Sequence, residues 1–102
     1  ALDLDPENGY FIDSLGWAYY QQGKYAEALR ELKRAAERAK EDPVILEHLG
    51  DAYLKNGSVE EAVRAWEKSL QMDPASESVK KKLREIRETL SGQKGGRTEA
   101  QQ

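Results

Sequence analysis

Apolar residues recur along this chain at the spacing of one helical face, in five successive segments. In the first segment Ile12, Leu15 and Tyr19 follow one another at intervals of three or four residues. About 3.6 residues complete one helical turn, so this spacing predicts an amphipathic α-helix. The five predicted helices span residues 9–22, 25–39, 43–56, 59–72 and about 76–90. The pattern therefore predicts an all-α protein.

Residues that typically begin or end helices support the predicted helix boundaries. Gly23 follows the first helix as a terminating residue, and Pro43 is well placed to begin the third, where its missing N–H costs nothing. Glu27 and Glu60-Glu61 fall near the starts of the second and fourth helices, where carboxylates favour the helix dipole.

The chain repeats itself with a period of 34 residues. Leu15-Gly16 recurs as Leu49-Gly50, and the fragment Leu4-Asp5-Pro6 returns as Met72-Asp73-Pro74 after two periods. Further matches at one period are Tyr19 with Tyr53, Gly23 with Gly57, Glu27 with Glu61, Ala28 with Ala62 and Leu32 with Trp66. One helix pair cannot bury its apolar face alone, so the repeated pairs must stack.

Each repeated interval has a packing explanation. Gly16 and Gly50 lack a Cβ, so the second helix of each pair can approach closely, and Ala28 and Ala62 are the small residues that face them. Leu15 and Tyr19 are expected in the core. The large residues expected to fill the space between pairs are Tyr19, Tyr53, Leu32 and Trp66.

These residues resemble the tetratricopeptide repeat, whose pattern is W-x2-L-G-x2-Y, A-x3-F and P. The matching positions are Ile12, Leu15, Gly16, Tyr19, Ala28 and Leu32, then Leu46, Leu49, Gly50, Tyr53, Ala62, Trp66 and Pro74. The resemblance implies a right-handed α-solenoid in which first helices line a concave groove that binds peptides or partner helices. The predicted division is 1–8, the tail of a preceding repeat; 9–42 and 43–76, two repeats; 77–90, a C-terminal capping helix; and 91–102, a disordered tail.

Two departures and one narrower likeness qualify this match. Lys40 replaces the closing proline of the first repeat, so the second helix is expected to run on. Ile12 and Leu46 replace the usual tryptophan, a change that a core position tolerates. Residues 13–20 are similar to the last repeats of long bacterial arrays, some of them outer-membrane lipoproteins. That likeness suggests a parent protein in the bacterial cytoplasm, or one in the periplasm associated with the outer membrane.

A stripe of first-helix residues that the core does not need marks the candidate groove. Its predicted partner-binding residues are Tyr10, Asp13, Trp17, Tyr20, Gln21, Glu47, Asp51 and Leu54. Aromatic rings beside carboxylates suit a protein or peptide with apolar and basic side chains. The alternative is that Tyr10, Trp17 and Tyr20 pack against a preceding repeat or against one another across the groove.

Composition argues against several other classes of function. The formal net charge of −3 gives no general attraction to nucleic acid, and no apolar run reaches the ~18 residues of a membrane span. No cysteine is present and His48 is the only histidine, so neither a metal site, a cofactor site nor nucleophilic catalysis is predicted. His48 is interpreted as a partly exposed structural residue, and the protein as a non-enzyme.

Some tetratricopeptide domains hold a peptide carboxylate with groove lysines and asparagines. The corresponding residues here are Asp13, Trp17, His48 and Lys82, so recognition of chaperone tails is not expected. Lys80, Lys81 and Lys82 are interpreted as solvated residues of the capping helix.

Two functions remain open at this point. The first is a protein-interaction module, a scaffold or adaptor that binds through the groove. The second is an architectural end segment of a longer solenoid, which stabilises it and self-associates weakly.

Overall fold

Five α-helices form the part of the chain that the computed structural model describes, residues 6–101, with side chains described for 6–92. The helices are α1 Gly9–Gln21, α2 Tyr25–Arg38, α3 Pro43–Lys55, α4 Val59–Met72 and α5 Glu77–Gln101. No strand occurs within residues 6–101, which confirms the all-α prediction. Of the predicted tail of a preceding repeat, residues 1–5 lie outside the described residues.

The first helix of each pair begins at a side-chain cap. The Asn8 Oδ1 accepts a 2.8 Å hydrogen bond from the Tyr10 N–H, and the Asp42 Oδ1 accepts one of 2.9 Å from the Val44 N–H. These bonds satisfy backbone donors that have no partner within the helix. Pro43 occupies the first turn of α3, as its fixed φ predicts. The carboxylates predicted near the starts of α2 and α4 lie in their first turns.

Both pairs turn through the same glycine-based helix end. Gly23 and Gly57 adopt φ of 81° and 82°, the left-handed region in which only glycine avoids a steric cost. The Lys24 N–H donates to the Tyr19 carbonyl over 2.9 Å, and the Gly23 N–H donates to the Tyr20 carbonyl over 3.0 Å. These two hydrogen bonds satisfy two carbonyls at the helix end, and the chain reverses direction there.

Within each pair, a glycine of the first helix receives a large side chain of the second. A Cβ on Gly16 would lie 2.8 Å from the Leu32 Cγ, and a Cβ on Gly50 would overlap the Trp66 indole. Leu32 and Trp66 are buried accordingly. The predicted role of both glycines in close helix approach is confirmed.

Between the pairs, α2 packs on α3. Leu32 of α2 joins Leu46, Leu49 and Ala52 of α3 in one buried cluster. The prediction that Leu15 lies in the core is wrong, because 38% of its surface is exposed. It lies on the side of α1 that faces away from α2 and α3, where no described helix covers it.

The fifth helix closes the opposite end of the stack. Val79 and Leu83 are buried against Ala62 and Trp66 of α4, as the apolar stripe predicts. α5 continues to Gln101 as a helix, whereas the sequence predicted an end near residue 90 and a disordered tail. Once packed turns have nucleated a helix, each further residue adds one backbone hydrogen bond, so the helix can extend without tertiary contacts.

The expected extension of α2 past Lys40 is also wrong. α2 ends at Arg38 and has 14 residues, the same length as α4. The residue before a proline is disfavoured in a helix, and Asp42 is extended so that it can cap α3. Pro43, and not a proline at position 40, therefore marks the boundary between the connection and α3.

Candidate binding surface on the first helices

The eight residues predicted to bind a partner lie on α1 and α3, and α5 continues the same surface. We call the aligned faces of α1, α3 and α5 the first-helix surface. Its predicted residues are Tyr10, Asp13, Trp17, Tyr20, Gln21, Glu47, Asp51 and Leu54. The structure divides these residues into a group that makes internal contacts and a group that does not.

The aromatic residues of this surface form a column of stacked rings. The Trp17 ring lies between two others, with its centroid 4.5 Å from that of Tyr20 and 4.1 Å from that of His48. The edge of Tyr25 meets Tyr20 at 5.3 Å. Trp17 and Tyr20 therefore pack against each other along α1, and the ring contact between first helices is that of Trp17 with His48. Both faces of the Trp17 indole are covered, so it presents only its edges to a ligand.

A contact between an aspartate and a histidine links α1 and α3, the first helices of the two pairs. The Asp13 Oδ1 lies 2.8 Å from the His48 Nδ1, and both side chains are largely buried. His48 is thus a structural residue that joins α3 to α1 and stacks on Trp17. Its partner was missed because a search at helical spacing does not reach a residue 35 positions away.

A second link joins α3 to the capping helix. The Lys82 Nζ donates to the Glu47 Oε2 over 2.6 Å and to the Asp51 Oδ2 over 2.9 Å. The Trp66 Nε1–H donates to the Asp51 Oδ1 over 3.2 Å, and the Ser78 hydroxyl donates to Glu47 over 2.8 Å. The interpretation of Lys82 as a solvated lysine is wrong, whereas Lys81 beside it is exposed.

Burial and pairing act in opposite directions on these ionisable groups. Burial alone would raise the pKa of Glu47, but hydrogen bonds from Lys82 and Ser78 hold it below its usual 4.5. Burial raises the pKa of Asp51 above 3.8 and outweighs its contacts with Lys82 and Trp66. Burial disfavours the Lys82 ammonium, yet its two carboxylate partners raise its pKa above 10.5. Burial, followed by the Asp51 charge, raises the pKa of Tyr20.

The two links occupy the same place in successive pairs. Asp13 contacts His48 and Glu47 contacts Lys82, and each contact spans 35 residues. An acidic residue on one first helix therefore meets a basic residue on the next, one position beyond the repeat period. This offset is a signal that the sequence contained, and a search for acid–base pairs at 35 residues would have found both.

An open pocket of about 360 Å³ lies between α3 and α5 on this surface. Leu54, Trp66 and Ile86 form its apolar part, and Tyr20 and Glu85 are among its polar residues. No hydrogen bond or ion pair engages the Glu85 carboxylate within the side chains described. The sequence analysis identified Leu54 but not the contribution of α5, since Glu85 and Ile86 were assigned only to a cap.

The remaining predicted residues are free of such contacts. Tyr10 is 62% exposed, and Val44, at the equivalent position of α3, is 53% exposed. Gln21 is also exposed. The surface thus offers a pocket near α5 with both apolar and charged residues, and two exposed apolar side chains at the helix N-termini.

Two other classes of site find no basis in the described part of the chain. No group of three His, Cys, Asp or Glu side chains there is arranged to hold a metal ion. None of its helices combines the length and apolar character needed to cross a membrane.

Two solved structures share this arrangement of helices. The N-terminal domain of stress-induced protein-1 from C. elegans aligns with a TM-score of 0.70 and 25% identity, over 84% of this chain and 72% of that one. The first TPR domain of the human RPAP3 protein aligns with a TM-score of 0.81 and 23% identity, over 92% and 74% respectively. These alignments confirm the predicted right-handed solenoid. A search of curated proteins found no match.

A family profile described as tetratricopeptide repeat matches residues 14–77. The match includes the loops with the left-handed glycines Gly23 and Gly57. It also includes the contacts of Gly16 with Leu32 and of Gly50 with Trp66. Repeats of this family generally act as non-catalytic protein-interaction modules. The chain belongs to the tetratricopeptide repeat family.

Proposed function

We propose that this protein binds a peptide or partner helix along the first-helix surface, as a scaffold or adaptor and not as an enzyme. The observation that carries the proposal is the pocket between α3 and α5, where Leu54 and Ile86 stand beside the unpaired Glu85. A partner residue with an aliphatic stem and a cationic end suits this combination, since the stem covers apolar surface while the charge reaches the carboxylate.

Charge on the surface supports a basic partner, though less strongly than the sequence indicated. Asp13, Glu47, Asp51 and Glu85 carry four carboxylates, and Lys55 and Lys82 supply two ammonium groups, which leaves two formal negative charges when His48 is neutral. Because Lys82 already holds two of these carboxylates, we assign partner attraction mainly to Glu85 and the apolar residues.

The exposed apolar residues set the expected extent of the site. Tyr10 and Val44 stand at the N-terminal ends of α1 and α3, and the pocket lies toward their C-terminal ends. A partner that contacts both regions would run along the first helices. The stacked Trp17 ring forms part of the surface between them.

Selection of peptides from a random phage library on the intact chain, followed by calorimetry, tests this proposal. We expect the selected peptides to contain apolar and basic residues, and Leu54→Glu to weaken their binding at least tenfold. The matched control is Arg30→Glu on α2, an exposed position that should leave affinity unchanged. Binding that is lost with Arg30→Glu and kept with Leu54→Glu would assign the site to the second helices.

A second candidate function is the architectural one, in which the protein ends a longer solenoid. The exposure of Phe11 and Leu15, each 38%, favours it, because these residues form an apolar face on α1, the first helix that the structure describes. Placing an extra copy of residues 9–42 ahead of Gly9 should cover that face and raise the melting temperature. An unchanged melting temperature would contradict this candidate and leave peptide binding untouched.

A further inference from the structure

The first-helix surface has two apolar regions that lie at opposite ends of α3. Val44 belongs to the first turn of this helix and is 53% exposed, whereas Leu54 belongs to its last turn and lines the pocket between α3 and α5. Because Leu54 follows Val44 by ten positions and each adds a rise of 1.5 Å, the two lie about 15 Å apart along the helix. A partner that contacts both regions has to bridge this distance.

Most polar side chains near these two regions already have internal partners. Glu47 and Asp51 both accept hydrogen bonds from Lys82. The Asn56 Nδ2 donates to two backbone carbonyls over 2.9 and 2.8 Å, which uses both of its hydrogens. Among the eight predicted residues, Gln21 has the one side-chain amide. An extended peptide presents a backbone donor and acceptor at every residue, and this surface offers few side chains to bind them.

Sheet edges and open aromatic faces are two other features with which proteins hold extended peptides. Residues 6–101 contain no strand, so they offer no sheet edge. The Trp17 ring lies between those of Tyr20 and His48, so its faces are not open to the prolines of a polyproline helix. An α-helical partner needs neither feature, because its backbone hydrogen bonds are internal. The surface therefore favours a helix over an extended peptide.

The charges around the pocket favour a basic residue at that end of the partner. Lys82 is paired with two carboxylates of α3, and the Lys55 Nζ lies 5.4 Å from the centroid of the Tyr25 ring. Among the side chains that the structure describes, none pairs with the Glu85 carboxylate. A lysine or arginine of the partner can reach Glu85 while its aliphatic stem covers Leu54.

We propose that the partner is an amphipathic α-helix that lies along α3, with a basic residue at Glu85 and an apolar residue against Val44 and Tyr10. This inference rests on the proposed binding function and specifies its partner. Helix residues eleven positions apart lie about 16.5 Å from each other and share one face, since eleven residues make close to three turns. An extended peptide covers about 15 Å in four or five residues. The spacing between the two anchor residues therefore distinguishes the two forms of partner.

Peptides of about 16 residues, long enough for four helical turns, test the proposal when they are selected on the intact chain from a random phage library. We expect the selected sequences to share a lysine or arginine about ten or eleven positions from a large apolar residue. An isotope-labelled selected peptide should show helical NMR chemical shifts when bound. Proline at a position midway between the anchors should weaken binding at least tenfold because it breaks a helix, whereas alanine there should not.

A double-mutant cycle tests the contact between Glu85 and the basic residue of the peptide. Glu85→Gln should weaken binding by about three- to fivefold, in the range of an exposed ion pair. Methionine in place of the basic residue keeps an apolar stem without the charge, and it should weaken binding to the wild type but not further to Glu85→Gln. Glu88→Gln is the matched control, because Glu88 is exposed on the same helix and does not line the pocket.

The possible outcomes separate this inference from the proposed function. Anchors about four or five residues apart, extended chemical shifts in the bound peptide, or tolerance of proline would overturn the helical partner while groove binding stands. Equal effects of Glu85→Gln and Glu88→Gln would refute the contact assigned to Glu85. If no selected peptide is weakened by Leu54→Glu, the proposed function fails and the helical partner fails with it.

Discussion

At the scale of single residues, Gly50 and Trp66 show how one missing side chain sets the distance between two helices. The indole occupies the space where a Cβ on Gly50 would lie, and its N–H reaches Asp51 on the same first helix. The tryptophan is therefore held by packing and by a buried hydrogen bond. Gly16 and Leu32 repeat the packing contact without the polar one.

We expect Gly50→Ala to lower the free energy of unfolding by about 1–3 kcal/mol, the usual cost of overpacking a core. The new methyl group meets a rigid indole ring that cannot move aside like a flexible chain end. Urea denaturation followed by circular dichroism measures the change. Gly92→Ala is the control, because no atom lies within 4 Å of the position that its new methyl group would take, and alanine favours a helix over glycine. Equal stability of the two variants would contradict the contact.

At the scale of helices, two features hold the elements in place: the glycine-based helix ends and the links across the first-helix surface. The first reverses the chain within a pair, and the second joins successive pairs. The left-handed glycines were predictable from the repeat, since a glycine that follows each first helix is a recognised termination signal. The links were not predicted, because acid and base lie 35 residues apart.

Gly57→Ala should destabilise the protein by about 1–2 kcal/mol, because a Cβ is unfavourable in the left-handed conformation. Nothing lies within 4 Å of the added methyl, so backbone strain alone accounts for the loss. Thermal unfolding is the measurement. Gly57→Asn should recover part of the stability, since asparagine tolerates this conformation better than alanine does. A fall with asparagine as large as that with alanine would argue against a conformational cause.

Lys82→Met should remove the link between α3 and α5 and cost about 1–3 kcal/mol near neutral pH, because two largely buried carboxylates lose a donor. Lys81→Met, at an exposed neighbouring position, is the matched control and should cost little. Chemical denaturation of both variants measures the difference.

The cost of Lys82→Met should depend on pH in a defined direction. The pKa of Glu47 is lowered on folding, so its contribution is present above 4.5 and is lost as the pH falls through the folded value. The pKa of Lys82 is raised on folding, so its contribution is present below 10.5 and is lost as the pH rises through the folded value. Lys82 also lowers the pKa of Asp51, although burial keeps that pKa above 3.8, so the contribution of the Lys82–Asp51 contact is likewise lost as Asp51 is protonated at low pH. The difference from wild type should therefore be largest between about pH 5 and pH 10.

At the scale of the whole molecule, the described helices form a short stack in which coverage is uneven. α3 is covered by α2 on one side and by α4 on the other, α5 covers α4, and Phe11 and Leu15 of α1 are exposed. Repeat proteins are stabilised mainly by contacts between neighbouring units, so local stability follows this coverage.

Amide hydrogen exchange should accordingly be slowest in α3 and faster in α1, although both helices have 13 residues. The reason is that Ile45, Leu49 and Ala52 are buried while the equivalent Phe11, Leu15 and Ala18 are exposed. Exchange measured by mass spectrometry or NMR tests this. Equal protection of the two helices would show that the molecule opens only as a single unit.

The 34-residue period, helical spacing and glycine positions determined the fold class, because each depends on contacts within a helix or between neighbours in the chain. Ile12, Gly16 and Leu32 could be placed from these patterns alone. Tertiary structure decided which candidate site residues already make internal contacts: Trp17 and Tyr20 stack, and Lys82 pairs with Glu47 and Asp51. It also decided that Leu15 is exposed, since burial depends on a neighbouring helix and not on the residue's own pattern. Periodicity identifies the faces of a helix, but only the packed structure shows which side chains meet across them.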